Sequence, residues 1–565
     1  MRSDDCVYLL LLIAIPALVL IHLDVAPYTK VEESFHIQAI HDILAYGIPA
    51  QNVSETLRWQ YDHFTFPGAV PRTFVGAVML STLSRPFIWL NATVDNQTLV
   101  RSILGLINAL SLLSFASGLQ RAFGRPTAIW YLAFQASQFH IIYYASRTLS
   151  NMFAFSMSTL ALQYLLPDPL APTLYRKRCQ KALFLLATAG IIYRSELALF
   201  LATNTLFLLL TRRISITGEI IPAGVTGLLI GLAITVGVDS FFWQQFPLWP
   251  ELAAFIFNVI SGQASAWGTH PWHFYFANAI PRLLLNPLTY LLAIPFAFAH
   301  PSTRSAAAYL AIPSIAFVAI FSIQPHKEWR FIVYSIPSLT AVAALGSSYI
   351  WTHRTKSLIY RLLSLAMIGS TLVSFLCSTF VLLPASAANY PGAHALNALH
   401  THAHSTKPHI SVYLGNLACQ TGVTRFLETP SFPDKTVSHS APEDRPTTWK
   451  YDKTEDQKLK SSPSFWDQFD YILVEPSEGE KVVSLADSPG TWEDVETVTG
   501  FAGMKIIRPG DKAVGAVEGR VLDKFVGQQG VRLWEMGREL ARRVVTRGWW
   551  VELTMEPKIK IMRRV

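Results

Sequence analysis

Long apolar runs alternate with short polar stretches over the first two thirds of the chain, and the length of the apolar runs decides the class of protein. Runs at residues 6–23, 98–120, 126–144, 149–166, 182–211, 219–238, 283–300, 305–323, 331–350 and 362–384 approach the roughly 20 residues that a helix needs to cross a bilayer. The 182–211 run is interrupted by Arg194 and Glu196 and has basic residues on both flanks, Arg176-Lys177-Arg178 and Arg212-Arg213. It is therefore predicted to be a hairpin of two short helices, which brings the expected total to about eleven spans. No small-residue cleavage site follows the first run, so it is predicted to be a retained anchor rather than a signal peptide.

Beyond residue 384 the pattern changes. There is no further long apolar run, charges are frequent, and short β-like stretches occur at 410–414 and 471–474. These predict a small α/β domain over 385–565, with a polar loop at 430–450. The expected organisation is a transmembrane domain over 1–384, with residues 25–97 as its first lumenal loop, followed by this C-terminal domain. No repeat of solenoid period is present.

Composition agrees with this division. Of the 565 residues 51% are hydrophobic and only 15% are Asp, Glu, Lys or Arg, against about 25% charged in an average soluble chain. Soluble, disordered and fibrous classes are excluded. The formal net charge is +8, but the basic residues are dispersed in short clusters between apolar runs, the pattern that orients membrane helices. A nucleic-acid partner is not indicated. Cys6, Cys179, Cys377 and Cys419 lie far apart without metal-ligand spacing, so neither a disulfide framework nor a zinc site is expected.

The basic loops set the orientation. Arg121 and Arg125, residues 176–181, Arg212-Arg213, Arg304 and residues 354–361 all fall on one side, predicted to be cytosolic. The acceptor pattern Asn-X-Ser/Thr occurs at Asn52, Asn91 and Asn96, all between the first two runs, which predicts an endoplasmic reticulum lumen for that segment. Counting onward, Arg147, Arg194, residues 239–282 and 324–330 share the lumenal side, and an odd number of spans sends the tail there too.

Charged groups at membrane depth are functional candidates because they are costly unless paired or facing a cavity. The run Pro27-Tyr28-Thr29-Lys30-Val31-Glu32-Glu33-Ser34-Phe35-His36 follows the first span directly. Adjacent carboxylates repel and raise each other's pKa, as a general base requires; equally, Thr29 and Glu32 fit a helix capping box. Tyr61-Asp62-His63 is followed by Phe66-Pro67-Gly68 and Pro71-Arg72-Thr73. Asp62 and His63 could orient a sugar hydroxyl or assist a base, or could form a surface turn before Pro67. His326, Lys327 and Arg330 put three potential cations within five residues, a clamp for a phosphate with Lys327 as point charge and Arg330 as fork. Snorkelling to headgroups is the ordinary alternative, less apt on the side that positive residues avoid. Arg147 is a further lumenal-side cation, whereas Arg194 and Glu196 read more readily as structural partners. Trp243, Trp249, Trp267 and Trp272 are expected to form an interfacial aromatic belt, with stacking on sugar rings as the alternative.

Together these stretches resemble the GT-C family of endoplasmic reticulum mannosyltransferases that use dolichyl-phosphate-mannose and carry a His-Lys-Glu-X-Arg-Phe signature, here residues 326–331. Further matching residues are 27–35, Tyr61-Asp62-His63, Phe66-Pro67-Gly68, Pro71-Arg72-Thr73-Phe74, Arg147-Thr148-Leu149, Val238-Asp239-Ser240, Gln420-Thr421-Gly422-Val423, Arg425-Phe426 and Tyr451-Asp452-Lys453. The resemblance runs from residue 20 to about 475. It is nearest to the branch that adds an α-1,6 mannose to the seven-mannose dolichyl-diphosphate oligosaccharide of N-glycan assembly. Sibling branches usually carry Asp-Glu where Glu32-Glu33 stands and lack the Tyr-Asp-His stretch.

The resemblance implies a polytopic α-helical GT-C fold, dolichyl-phosphate-mannose as donor, a dolichyl-diphosphate-linked oligosaccharide as acceptor, and an active site on the lumenal side of the endoplasmic reticulum membrane. A β-linked donor and an α-linked product imply one inverting displacement. Glu32, Glu33 and Asp62 are the candidate bases, His326, Lys327, Arg330 and Arg147 the candidate phosphate ligands, and Lys30, His63, Arg72 and Glu328 candidate substrate contacts. Neither metal nor cofactor is implied. Alternative readings are an α-1,2 sibling of N-glycan or GPI-anchor assembly, or a lipid or sugar transporter. The folded tail and the paired acidic and basic clusters argue against the last.

Overall fold

The computed structural model describes residues 3–90, 94–169, 172–403, 409–429, 448–485, 491–511 and 516–565. Asn91 and most of the expected polar loop, 430–447, lie outside the described residues. The chain divides into two units, Met1–Asp24 with Asp42–Thr379, and Val25–His41 with Phe380–Val565.

The apolar runs become helices. Among the described residues, six are long and apolar enough to cross a membrane: Asp4–Val25, Asn96–Phe123, Ile216–Trp243, Pro301–Phe321, Trp329–Thr352 and Leu358–Ala387. Tyr275–Leu284 and Thr289–Ala299 make a seventh if taken together, although they are bent by 117°. The other expected spans are broken or shorter, and polar residues mark the breaks. The 126–144 run divides at Gln138 into Arg125–Ser137 and Phe139–Tyr144, where the buried Gln138 amide donates to Thr340 Oγ1 at 2.9 Å. The 182–211 run divides into Tyr175–Ile192 and Leu197–Leu210, with Arg194 and Glu196 in the break. Asn96–Phe123 begins where Asp95 accepts the N–H of Thr98 and ends at Gly124, whose φ of 91° needs a residue without a Cβ.

The second unit contains a five-stranded sheet of β1 (His409–Leu414), β2 (Thr448–Asp452), β3 (Tyr471–Val474), β4 (Trp492–Ile507) and β5 (Trp550–Arg564). Their order is β2-β1-β3-β5-β4; β1 runs parallel to β2 and β3, while β5 pairs antiparallel with β3 and β4. Both faces of the sheet are covered. Ile410, Val412, Leu414 and Leu473 pack with Leu396 and Leu399 of the helix Pro391–His402, while Tyr413, Ile472 and Val474 pack with Phe465 and Trp466. Strands buried on both faces read as continuous apolar runs, which is why 410–414 and 471–474 were legible.

The segment expected to belong wholly to the first lumenal loop of the transmembrane domain is shared between the units. Residues 25–41 join the tail because their partners are there: Asn397 donates to the Tyr28 hydroxyl at 2.8 Å, the Lys30 ammonium to the Asn389 carbonyl at 2.9 Å, and the Arg425 N–H to Gln38 Oε1 at 3.0 Å. Gly422, at φ 114°, lets this approach occur, since a Cβ there would lie 2.7 Å from Ala393 Cβ and 3.1 Å from Tyr28 Cβ.

Candidate functional site

Three groups of the expected site residues can be built from their own surroundings. In the first unit, residues 326–330 form the loop that enters the Trp329–Thr352 helix. Glu328 is the centre of this cluster. Its Oε2 lies 2.6 Å from Arg330 Nε, and its Oε1 accepts from Arg330 Nη2 at 2.8 Å and meets His326 Nε2 at 3.0 Å. Burial raises the Glu328 pKa, but Arg330 and His326 outweigh it and hold the carboxyl below its usual 4.5. The Arg330 fork, expected to face a phosphate, is thus engaged bidentately by a carboxylate that fixes its orientation.

Lys327 departs from its expected role as a phosphate point charge. The residue is only 3% exposed, and its ammonium donates to the carbonyls of Gln324 at 2.6 Å, His270 at 2.9 Å and Pro325 at 3.4 Å. Three carbonyls match its three donors, so it ties this loop to residue 270. Burial pushes its pKa down.

Behind this loop a buried polar network fixes the next turn. Asn151 Nδ2 is within 2.9 Å of Glu196 Oε1, 2.9 Å of the Tyr334 hydroxyl and 3.2 Å of the Arg330 carbonyl, and Tyr334 donates to Glu196 at 3.2 Å. Arg194 completes it, with Nε 2.9 Å from Glu196 Oε1. Arg194 and Glu196 are structural partners, as their sequence context suggested. Asn151 and Tyr334 were not singled out, because a neutral polar residue in an apolar run carries no sign of its partner. Trp329 packs on Tyr144 and His140 of the helix Phe139–Tyr144, and Arg147, three residues beyond that helix, is buried with its guanidinium 4.1 Å from the Tyr143 ring centroid.

The second group is the Asp62–Phe74 stretch, also in the first unit. Asp62 opens a short helix and its N–H donates to the buried Asp42 carboxylate at 2.8 Å. His63 is enclosed rather than part of a surface turn: Nε2 lies 2.9 Å from the Phe242 carbonyl, and Phe64, Phe74 and Trp243 surround the ring. The Trp243 indole donates to the Arg72 carbonyl at 3.0 Å, so the end of the Ile216–Trp243 helix holds this stretch at both ends. Asn52 is exposed at φ 47°, and Asn96 begins its helix.

The third group, in the second unit, separates the two adjacent glutamates. Val31–Glu33 is one 3-10 turn in which Glu33 is buried and its Oε1 accepts the Lys30 N–H at 3.1 Å. Only half of a capping box forms, and one residue further on than expected: the Glu33 carboxylate accepts the Lys30 N–H, while the Lys30 ammonium, having no lone pair, cannot accept an N–H in return. Glu32 is exposed, with no hydrogen bond or ion pair among the described residues. Lys30 sits over the Tyr390 ring at 5.2 Å.

Residues 10–428 match the model of the Alg9-like mannosyltransferase family, and the chain belongs to that family. It is 34% identical, over 85% of its length and 86% of the relative's, to the Dol-P-Man:Man(7)GlcNAc(2)-PP-Dol alpha-1,6-mannosyltransferase of Saccharomyces cerevisiae. The Arabidopsis thaliana protein of the same name is 31% identical over 86% of this chain and 90% of its own. GPI mannosyltransferase 3 of Drosophila melanogaster is 26% identical over 42% of this chain and 41% of its own. Among solved structures, ArnT from Cupriavidus metallidurans bound to undecaprenyl phosphate aligns over 87% of this chain and 96% of its own with a TM-score of 0.56 and 14% identity. The fold is therefore shared with that GT-C membrane enzyme, and the chain is a glycosyltransferase of the mannosyltransferase class.

Proposed function

We propose that the chain transfers mannose from dolichyl-phosphate-mannose, in α-1,6 linkage, to the seven-mannose dolichyl-diphosphate oligosaccharide. The observation that carries this reading is the similarity to the α-1,6 enzymes, over 85% of the chain for the Saccharomyces cerevisiae enzyme, where the Drosophila melanogaster GPI enzyme matches 42%. In this reading the protein crosses the endoplasmic reticulum membrane about eleven times, with the shorter and bent helices completing the count, and both the tail and the active site are lumenal.

The chemistry assigned to the residues is an inverting displacement. Glu32, exposed and without an ion-pair partner among the described residues, removes the proton of the acceptor hydroxyl. Glu33 shapes the turn that presents it, and Asp62 is the alternative base. Arg330, oriented by Glu328, stabilises the departing dolichyl phosphate by preorganised charge, assisted by His326 and Arg147, while Lys327 holds the loop. Lys30, His63, Arg72 and Glu328 shape or line the substrate sites. The reaction is proposed to need no metal, since the leaving group is a single phosphate that cationic side chains can stabilise.

The test is transfer by purified protein from dolichyl-phosphate-mannose to defined lipid-linked acceptors, with and without excess EDTA. The expected result is one added α-1,6 mannose on the seven-mannose acceptor only, unchanged by EDTA. An α-1,2 product, or extension of a GPI precursor instead, would overturn the assignment.

A further inference from the structure

The tail carries a surface that neither the family match at residues 10–428 nor the proposed chemistry explains. The helix Ala516–Val544 turns sharply at Gly527 and continues to its end as one amphipathic piece. Leu533, Met536, Leu540 and Val544 are 69%, 69%, 64% and 70% exposed. Spacings of three, four and four put them in one stripe along the helix, and the stripe has company. At the adjoining ends of β4 and β5, Ile506 and Val551 pair in register and both are exposed, as is Met504 two residues earlier on the same face. Buried Arg542 fastens these parts together, donating to the carbonyls of Gly548 at 2.9 Å, Arg508 at 2.9 Å and Asp511 at 2.7 Å. Exposed apolar side chains aligned in this way on a folded protein mark a contact site.

We propose that this helix lies in the headgroup region of the bilayer, its aliphatic stripe turned into the leaflet where the last span ends. Two observations select a lipid surface over a protein partner. The opposite side of the helix is attached to that span: the Trp534 indole stacks on Phe380 at 5.0 Å and 15°, and Phe380 belongs to the apolar helix Leu358–Ala387. The charge also fits. Arg532 and Arg543 are exposed beside the stripe, and residues 528–549 hold five arginines against two glutamates, the composition of a helix whose cations reach lipid phosphates while its apolar face is immersed. The tail thereby holds to the bilayer through its own surface as well as through its chain connections.

The wild-type chain in phosphatidylcholine vesicles containing a lipid with an acyl-chain diazirine gives the test. After illumination, adducts are expected on Leu533, Met536, Leu540 and Val544 at several times the level on Glu535 and Glu539, alongside labelling of Leu358–Ala387. Labelling of the span without labelling of the stripe would overturn the proposal. Nitroxides at Met536→Cys and Leu540→Cys, with Cys6, Cys377 and Cys419 replaced by serine, give a second reading. Collision with oxygen at least several-fold above collision with a water-soluble nickel chelate supports immersion. Equal access to both means the stripe lies in water, and access to neither means it is covered by protein such as a second copy; either result refutes the proposal.

Discussion

Asp239 Oδ1 accepts the backbone N–H of Phe74 at 2.6 Å, so a carboxylate within one apolar helix caps the first turn of another. Phe74 precedes the helix Val75–Trp89, and the same carboxylate accepts the hydroxyls of Thr73 at 3.3 Å and Thr235 at 2.6 Å. With the Phe74 ring stacked on Phe242 at 4.3 Å, the pair fixes where the Asp62–Phe74 stretch ends. Replacing Asp239 by alanine leaves three buried donors without their acceptor. A loss of about 1–3 kcal/mol of stability is expected, read as a lower unfolding midpoint in detergent. Thr235→Val, which removes one of the three, should cost less.

Arg330 and Lys327 should respond differently to the same truncation. Arg330→Ala removes the charge assigned to the donor phosphate, and one charge-assisted contact is worth about 1.5–3 kcal/mol, so the donor KM or the transfer rate should worsen roughly 10- to 150-fold with the fold retained. Lys327→Ala takes the ammonium donor from the carbonyls of Gln324 and His270, while the Pro325 carbonyl keeps the His270 N–H, and its loss should appear first as thermal instability. Donor kinetics changed more by Lys327→Ala than by Arg330→Ala would return the phosphate role to the lysine.

Burial holds the His63 imidazole below its usual 6.5, against the opposing pull of the Phe242 carbonyl, Asp42 and Asp62. A ring kept neutral in the folded state contributes stability that is complete above pH 6.5 and is lost as pH falls below it, because the unfolded chain then binds the extra proton. Hydrogen exchange in residues 60–74 should therefore accelerate as pH is lowered through 6, after correction for intrinsic rates. His63→Gln, which cannot take up a proton, should flatten that dependence.

The two adjacent glutamates can be separated by isosteric substitution. Glu32→Gln should lower the transfer rate by about 10²- to 10⁴-fold, the usual range for a general base, without altering expression. Glu33→Gln keeps an acceptor for the Lys30 N–H and should remain within about tenfold of wild type, whereas Glu33→Ala should cost about 1 kcal/mol of stability, as loss of a cap does. If both glutamine variants keep more than a tenth of the rate, Asp62→Asn becomes the decisive substitution.

The sequence by itself determined the membrane character of the chain, the position of its long helices, the two strands at the centre of the tail and the stretches where charge collects. These are local properties: a run of apolar residues must form a helix in lipid because no water is present to satisfy its backbone, and a buried strand reads as apolar wherever it pairs. The tertiary structure decided which member of each cluster is available for chemistry. Glu32 and Glu33 are equal in the sequence until one is seen to close a turn on Lys30. Lys327 is a free cation on paper until residue 270 supplies a carbonyl, and nothing along the chain shows that Glu328 orients Arg330 until the guanidinium folds onto it. The assignment of residues 25–41 to the tail rests on pairs such as Gln38 and Arg425, 387 positions apart. The physical reason is common to all of these: a polar side chain leaving water must find a partner, and no periodicity along the chain records a partner brought to it only by folding.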